Sequence, residues 1–403
     1  MQNINTHFIN PNDAPNIKTA HEKSLLSKEL GVCSFQNATI APHAKAGVWL
    51  DGKRLPQTLR HQMPQDKEKP PKPDIFCDET VIFIGAFVPV WGHEITDNLK
   101  HLWFYFDKKF NHLKNHKFAY VDFIDGKKSS QNFWELLKTL ELPLSQFLCV
   151  EKPTQFAKVL VPDECFLCDL NIPACPSLAN DNMDVMKFQR RFTKEYLNVL
   201  NHFPIISSKK NIQKVYFSRA AFYSQKDFNE KEIEIFFKNQ GFNIIYPEKN
   251  TFLENLAILQ NCEIFASTDG SIAHNALFCK KAKQIIILRK CRYFSTYQCA
   301  ANIIAQQNNP QTEIVYIDAA FSPLANISKS WWSGPFFLYV SNNLRHFFNL
   351  PPKSFPILQF CKCLMMDWPK SLPFYIDHKF LACTHPLRAK WQLGTKLRRF
   401  FKH

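Results

Sequence analysis

The chain has 403 residues, of which 45% are hydrophobic and 38 are Phe, and its formal net charge is +15. This composition is too apolar and aromatic for a disordered chain, and no run of about 18 apolar residues indicates a transmembrane helix. The positive charge favours anionic partners, but no pattern typical of nucleic-acid-binding modules occurs, so we expect no nucleic acid partner.

Residues 1–74 are polar and rich in Pro, Asn and Lys. They contain no apolar core followed by a cleavage site, so they predict no secretion signal. The prolines at positions 70, 71 and 73 exclude a helix there. We interpret this region as an amino-terminal extension or linker, with a strand pair between Gly47 and Leu55.

Alternating elements begin near Thr80. Apolar runs predict strands at residues 81–88, 118–123, 147–151 and 158–161, and helical spacing predicts helices at 93–106 and 131–140. This order is typical of a mostly parallel sheet covered by helices. We therefore expect a first Rossmann-like domain at residues 75–183.

The pattern restarts after a long amphipathic helix predicted at residues 184–201. Strands are predicted at 215–218, 242–246, 264–267, 284–288 and 314–317, with helices at 230–239, 252–261, 271–279 and 297–307. A second Rossmann-like domain is expected at residues 184–318, so the fold class is α/β with two domains facing each other across a cleft. Residues 319–403 form an aromatic and basic tail that we interpret as a cap or a membrane-facing segment.

The thirteen cysteines are an odd number without a regular framework. Together with the lack of an export signal, they favour free thiols in a reducing compartment, and hence a cytoplasmic location. No Asp-x-Asp pair occurs in the chain, although enzymes that bind a diphosphate through a divalent cation typically have one. We therefore expect neither a metal site nor a resident cofactor.

A glycine turn follows the predicted strand at residues 264–267. Gly270 permits a tight turn, and Ser271 begins the next predicted helix, where free backbone N–H groups favour an anion such as a diphosphate. His274 and Asn275 fall in the first turn of that helix. The same pattern also fits an ordinary glycine turn with a serine cap.

Arg219 follows a buried strand directly, at the edge of the sheet where ligands bind. A planar guanidinium is a preferred partner of phosphate oxygens. A surface ion pair with Glu230 or Glu232 is the alternative interpretation.

His93 and Asp97 are four residues apart, so a helix would place both side chains on one face. A histidine near a helix start stays neutral and can accept a proton from a hydroxyl group. Asp97 could orient His93 or act as the base itself. The pair could also be structural.

Together these motifs resemble the family 61 glycosyltransferases, which include bacterial capsular polysaccharide biosynthesis proteins. The resemblance covers about a quarter of the chain and rests on one ordered set of residues: Gly92, His93, Asp97, Trp103, Tyr216, Ser218, Arg219, Asn229, Glu230, Glu232, Gly241, Pro247, Glu248, Gly270, Ser271, His274, Asn275 and Phe278. The chain has Glu254 and Asn255 where the family often has Gln.

The resemblance implies a GT-B-type fold and an inverting transfer from a nucleotide-diphosphate sugar to a surface glycan such as capsule or lipopolysaccharide. It implies donor binding by five residues, Arg219, Gly270, Ser271, His274 and Asn275. His93 and Asp97 would lie on the acceptor side and supply the catalytic base.

Two other interpretations fit the sequence. One is a polysaccharide pyruvyl transferase-like enzyme on a similar two-domain frame. The other is a non-enzymatic basic protein that lies on an anionic membrane through residues 390–403, where apolar and basic side chains alternate. The same tail would give a glycosyltransferase a peripheral contact with the inner face of the cytoplasmic membrane.

Overall fold

The computed structural model describes residues 3–58, 69–169, 189–207, 212–221, 227–291, 294–321 and 336–366. The strands of these residues, numbered in chain order, are β1 Ile4–Phe8, β2 Val32–Ala41, β3 Gly47–Leu50, β4 Lys53–Arg54, β5 Ile75–Phe87, β6 Lys117–Asp122, β7 Phe147–Cys149, β8 Thr154–Pro162, β9 Phe166–Asp169, β10 Gln189–Phe192, β11 Lys214–Phe217, β12 Asp227–Phe228, β13 Asn243–Ile245, β14 Ile264–Thr268, β15 Gln284–Arg289, β16 Glu313–Asp318, β17 Ala320–Phe321 and β18 Phe336–Leu338. The helices are α1 Ala14–Glu22, α2 Trp91–Glu94, α3 Gln131–Thr139, α4 Lys194–Asn201, α5 Glu230–Asn239, α6 Phe252–Asn261, α7 Thr296–Asn308, α8 Asn342–Phe347 and α9 Ile357–Met366.

Two large sheets organise the chain. The amino-terminal sheet has the order β4-β3-β2-β8-β5-β6-β7, and the carboxy-terminal sheet has the order β1-β16-β15-β14-β11-β13. All pairs of the carboxy-terminal sheet are parallel, as are β5 with β6, β5 with β8 and β6 with β7. The predicted α/β class is confirmed.

The strands of the carboxy-terminal sheet are apolar almost throughout because both faces of the sheet are covered. In β15, the five residues from Ile285 to Arg289 are all buried. A parallel sheet covered on both faces favours such continuous apolar runs. Since the strands are parallel, their carboxyl ends lie along one edge, which is where Arg219, Gly270 and Lys290 follow β11, β14 and β15.

The interpretation of residues 1–74 as a linker is wrong for residues 3–58. Strand β1 pairs with β16, and β2 pairs with β8, so the region contributes strands to both large sheets. The expected strand pair is present as β3 and β4. The local pattern missed β1 because a five-residue edge strand carries little apolar signal and its partner lies near the other end of the sequence.

The helix predicted at residues 93–106 is also wrong as one element. Helix α2 ends at Glu94, and a separate 3-10 turn spans Trp103–Phe106. The side-chain hydroxyl of Thr96 donates a hydrogen bond to the backbone carbonyl of Gly92 at 2.7 Å. Such side-chain bonds compete with helical backbone bonds and end the helix early. The apolar residues Leu99, Leu102 and Trp103, whose spacing predicted the helix, are nevertheless buried.

Two further predicted helices are corrected. Gln189–Phe192 is a strand paired antiparallel with β9, and helix α4 begins only at Lys194, so the predicted helix at 184–201 is shorter. Ala273–Phe278 is a 3-10 helix whose six residues are all buried, and Ser271 does not cap it. Packing on all sides determines this short tight turn more than local helix propensity does.

The segment after β16 packs against the carboxy-terminal half. Strands β12, β18 and β17 form a three-stranded sheet, followed by α8 and α9. Residues 390–403, for which a membrane contact is predicted, lie outside the described residues. Within the part of the chain that the structure describes, no helix is long and apolar enough to cross a bilayer.

Candidate active site

A histidine, a carboxylate and a tyrosine form a hydrogen-bonded group where the two halves of the chain meet. His93 lies in α2, just after β5, and its Nδ1 is 2.6 Å from Oδ2 of Asp97. Tyr297, in the first turn of α7, donates its hydroxyl hydrogen to the same oxygen at 2.8 Å. The sequence predicted the pairing of His93 with Asp97, and the structure adds Tyr297.

The Asp97 side chain is buried but remains ionised. Burial alone would raise the pKa of this carboxyl, but the hydrogen bond and charge of His93 and the charges of Arg190 and Lys100 more than offset it, so the pKa lies well below its usual range. An ionised carboxylate only accepts hydrogen bonds, so His93 must donate from Nδ1. In the neutral form of the His93 ring, the second nitrogen, Nε2, then carries the lone pair and can accept a proton.

Tyr297 is held in place by three aromatic or cationic neighbours. Its ring stacks on His274 with centroids 5.6 Å apart, and on Phe166 at 5.8 Å. The guanidinium of the buried Arg190 lies 4.3 Å from the ring centroid. The tyrosine therefore links Asp97 to residues from both halves of the chain.

Gly92 brings these two halves into direct contact. A Cβ atom at this position would lie 2.7 Å from Nδ1 of His274 and 2.9 Å from Oγ of Ser271. Beside it, Nε1 of Trp91 donates to Oδ1 of Asn275 at 3.1 Å. Only a residue without a side chain fits at position 92, because the segment after β14 is packed against it.

His274 is buried and neutral. Burial, together with the nearby charge of His93, lowers the pKa of its ring to about 3. Within the described residues neither ring nitrogen makes a hydrogen bond of good geometry, although the backbone of Gly92 lies next to the ring.

A second group of residues lies at the carboxyl ends of three neighbouring strands, β11, β14 and β15. Arg219 and Lys290 both contact the carboxylate of Asp227, Arg219 through Nη1 at 3.9 Å and Lys290 through Nζ at 3.2 Å. Between them in strand order, Gly270 adopts φ +125°, which a residue with a side chain rarely adopts. We call Arg219, Asp227, Gly270 and Lys290 the strand-end cluster.

The glutamates expected as alternative partners of Arg219 are positioned differently. Glu230 accepts a hydrogen bond from the backbone N–H of Arg219 at 3.1 Å and one from the hydroxyl of Tyr216 at 3.0 Å. Burial, together with the negative charge of Asp227, raises the pKa of Glu230 to about 7. Glu230 thus orients the backbone of Arg219, whereas the guanidinium faces Asp227.

The predicted site residues therefore fall into two connected groups. His93, Asp97, Ser271, His274 and Asn275 lie at the contact between the halves, and Arg219 and Gly270 lie in the strand-end cluster. Because Gly270 and Ser271 are consecutive, the turn after β14 joins the groups.

Four residues of these groups were missed: Asp227, Lys290, Tyr297 and Arg190. Asp227 lies in the two-residue strand β12, which the sequence pattern did not predict. Lys290 has a clear signal, since it lies two residues after the predicted strand at 284–288. Tyr297 is the first residue of the predicted helix at 297–307. Residues that begin a helix after a strand of a parallel sheet are also candidates for a site at the carboxyl ends of the strands. Arg190 has no such signal, because it lies in a strand that the sequence pattern assigned to a helix.

Among the residues that the structure describes, no group of three or more His, Cys, Asp or Glu side chains is arranged to hold a metal ion. The eleven cysteines in the same part of the chain are free thiols.

Comparison with protein families gives one match. A family model described as Glycosyltransferase 61 matches residues 91–286, which include all seven predicted site residues. A comparison with curated proteins gave no significant match.

Proposed function

Because its residues 91–286 make the chain a member of glycosyltransferase family 61, we propose that it transfers a sugar from a nucleotide-diphosphate sugar to a surface glycan, with inversion at the anomeric carbon. The acceptor is capsule, lipopolysaccharide or another lipid-linked glycan. The observation that carries the proposal is the contact of His93 and Asp97 with the segment after β14, because it brings a candidate base beside the candidate donor residues.

His93 is the base in this proposal and Asp97 is its positioning residue. The ionised Asp97 already accepts two hydrogen bonds and has a lowered pKa, so it is a weak proton acceptor. It holds the His93 ring so that, in the neutral ring, the lone pair lies on Nε2, which can accept a proton. This geometry supports His93 over Asp97.

The transfer is a single displacement. The acceptor oxygen bonds to the anomeric carbon, the bond from that carbon to the diphosphate breaks, and the acceptor proton passes to Nε2 of His93. In the proposal, Arg219 and the Gly270–Ser271 turn stabilise the negative charge that grows on the leaving diphosphate. His274 and Asn275 lie beside the sugar or the nucleotide.

The two large sheets correspond, in this proposal, to the two Rossmann-like domains of a GT-B fold. Residues 75–183 would carry the acceptor and residues 184–318 the nucleotide sugar. Segments β1 and α1 would belong to the second domain, because β1 pairs with β16. The enzyme would work in the cytoplasm, alone or at the inner membrane face.

A thermal-shift screen tests the proposal. The purified chain is mixed with UDP-, GDP-, dTDP- and ADP-sugars, with a CMP-sugar as the control that lacks a diphosphate. We expect one diphosphate sugar to raise the melting temperature. The stabilising donor is then incubated with bacterial glycan acceptors in the presence of EDTA.

The products decide between the outcomes. Mass spectrometry should show the added mass of one sugar residue, and NMR should show the inverted anomer. A ketal mass would indicate pyruvyl transfer instead. A retained anomer would contradict inversion, strict dependence on added Mn²⁺ would contradict the metal-independent proposal, and stabilisation by none of the donors would contradict the function itself.

A further inference from the structure

Lys290 lies just beyond β15, as Arg219 lies just beyond β11 with Ser218 between. It follows the last residue of its strand directly, at the carboxyl edge of the sheet. It lies outside the segment that matches the family, which ends at residue 286. Its side chain is 13% exposed, so the ammonium group is largely withdrawn from water.

Asp227 connects the two cations. Its carboxylate is 2% exposed and lies 3.2 Å and 3.3 Å from Nζ of Lys290, through its two oxygens. The second oxygen also lies 3.9 Å from Nη1 of Arg219. One buried carboxylate thus faces two cationic side chains.

The ammonium group is also held next to the glycine turn. A Cβ atom at Gly270 would lie 3.7 Å from Nζ of Lys290, its nearest neighbour among the described residues apart from those adjacent in the chain. On another side, the ring of Phe336 lies 5.3 Å from the ammonium. Phe336 is placed there by β18, which pairs with β12 in register with Asp227.

We propose that Lys290 is a second cationic contact for the diphosphate of the donor, and that Asp227 is the internal anion that holds Lys290 and Arg219 until a diphosphate replaces it. This inference rests on the proposed function for the identity of its ligand. An ammonium group binds phosphate oxygens as a point charge, whereas a guanidinium binds them through two parallel N–H groups. The two cations therefore complement each other along one diphosphate.

Calorimetric titration with inorganic pyrophosphate tests the assignment without requiring the correct nucleotide. In Lys290→Gln we expect the affinity to fall roughly tenfold to a hundredfold, the range for a hydrogen bond to a charged group. Lys290→Arg should keep most of the affinity because it keeps the charge. Lys283→Gln is the matched control, since Lys283 also lies next to a strand of this sheet but is exposed and pairs with Glu263.

Asp227→Asn distinguishes a ligand-binding role from a structural one. Removing the internal anion should raise pyrophosphate affinity roughly tenfold, whereas the loss of a merely structural ion pair would not tighten binding. Melting curves show whether each variant is folded, and where Asp227→Asn does not fold, Lys290→Gln and Lys290→Arg decide the question.

Two results would overturn the assignment: a wild-type chain that does not bind pyrophosphate, or a folded Lys290→Gln variant that binds it as tightly as the wild type does. Failure of the proposed function looks different. In that case pyrophosphate binding depends on Lys290 as described, but no nucleotide sugar stabilises the chain or is consumed.

Discussion

Tyr297 donates a hydrogen bond to Asp97 although the two residues are 200 positions apart. The same oxygen of Asp97 accepts from His93, so one carboxylate is held by donors from both halves of the chain. The proposed base is therefore positioned by a residue of the opposite half. Any change that separates the two halves would therefore also disturb the position of the proposed base.

His93→Ala should lower turnover by about 10²- to 10⁴-fold, the usual contribution of general base catalysis. Donor affinity should remain near the wild-type value, because proton removal belongs to the chemical step. Single-turnover rates and donor titration measure the two effects separately. His112→Ala, at another histidine of the same half, is the control, and an equal loss of donor affinity would place His93 in the donor site.

Tyr297→Phe removes one hydrogen bond to Asp97 but keeps the ring that stacks on His274. We expect a loss of about 1 kcal/mol in the free energy of unfolding and a decrease in turnover without a change in donor affinity. Tyr297→Leu should be more damaging, because it also removes the surface against which Arg190 packs. Equal effects of the two variants would show that the ring contributes nothing beyond the hydroxyl group, and a Tyr297→Phe variant with wild-type stability and turnover would show that the hydroxyl group does not matter.

Arg219→Ala should lower turnover by about 10²- to 10³-fold, as loss of a preorganised donor to a developing charge does. The fold should persist because the side chain is 30% exposed. Turnover and melting temperature are measured together, with Arg345→Ala as the control at a distant arginine. Normal turnover would exclude Arg219 from the diphosphate site.

Gly92→Ala should destabilise the chain by about 1–3 kcal/mol, the cost of overpacking. The new Cβ would meet His274 and Ser271 at distances that real Cβ atoms do not show. Gly31→Ala is a matched control, since no heavy atom lies within 4 Å of its Cβ position. Chemical denaturation of both variants provides the comparison, and similar stabilities would mean that the contact between the halves is loose.

His274→Phe should reduce the loss of stability in acid. The folded pKa of His274 is about 3, far below the value of about 6.5 for an unfolded chain, so between these values only the unfolded state is protonated. Stability then falls by about 1.4 kcal/mol for each pH unit below about 6.5. Folded pKa values are also lowered at His21, to about 4, and at His101, to about 3, and these groups contribute in the same direction.

Denaturant unfolding at pH 6 and pH 5 measures this effect. The difference between the two pH values should be smaller in His274→Phe by about 1 kcal/mol, with His7→Phe as an exposed control. An unchanged difference would show that His274 is protonated in the folded chain.

The elements that sequence predicts well here are those whose pattern is local. Helix α6 has its predicted bounds and begins with a capping box between Thr251 and Glu254. Helix α5 ends before Gly241, whose φ of +82° explains why glycine stands there. The signals for these elements lie within a few residues of the element itself.

The remaining features depend on partners that are distant in sequence. Strand β1 is defined by β16, and Gly92 is required only because His274 packs against it. Spacing correctly paired His93 with Asp97, but it could not show that Tyr297 and Arg190 complete the group. Their side chains meet only once both sheets have formed.

The register of β1 with β16 has a consequence for biosynthesis. Strand β1 is synthesised long before its partner β16, and the buried Arg289 binds Asp13 at 2.6 Å to hold the segment beside the sheet. The carboxy-terminal sheet thus cannot close until β16 has been synthesised. A single cut between the two halves would leave β1 in one piece and its partner β16 in the other. Neither half would therefore be a self-sufficient fragment.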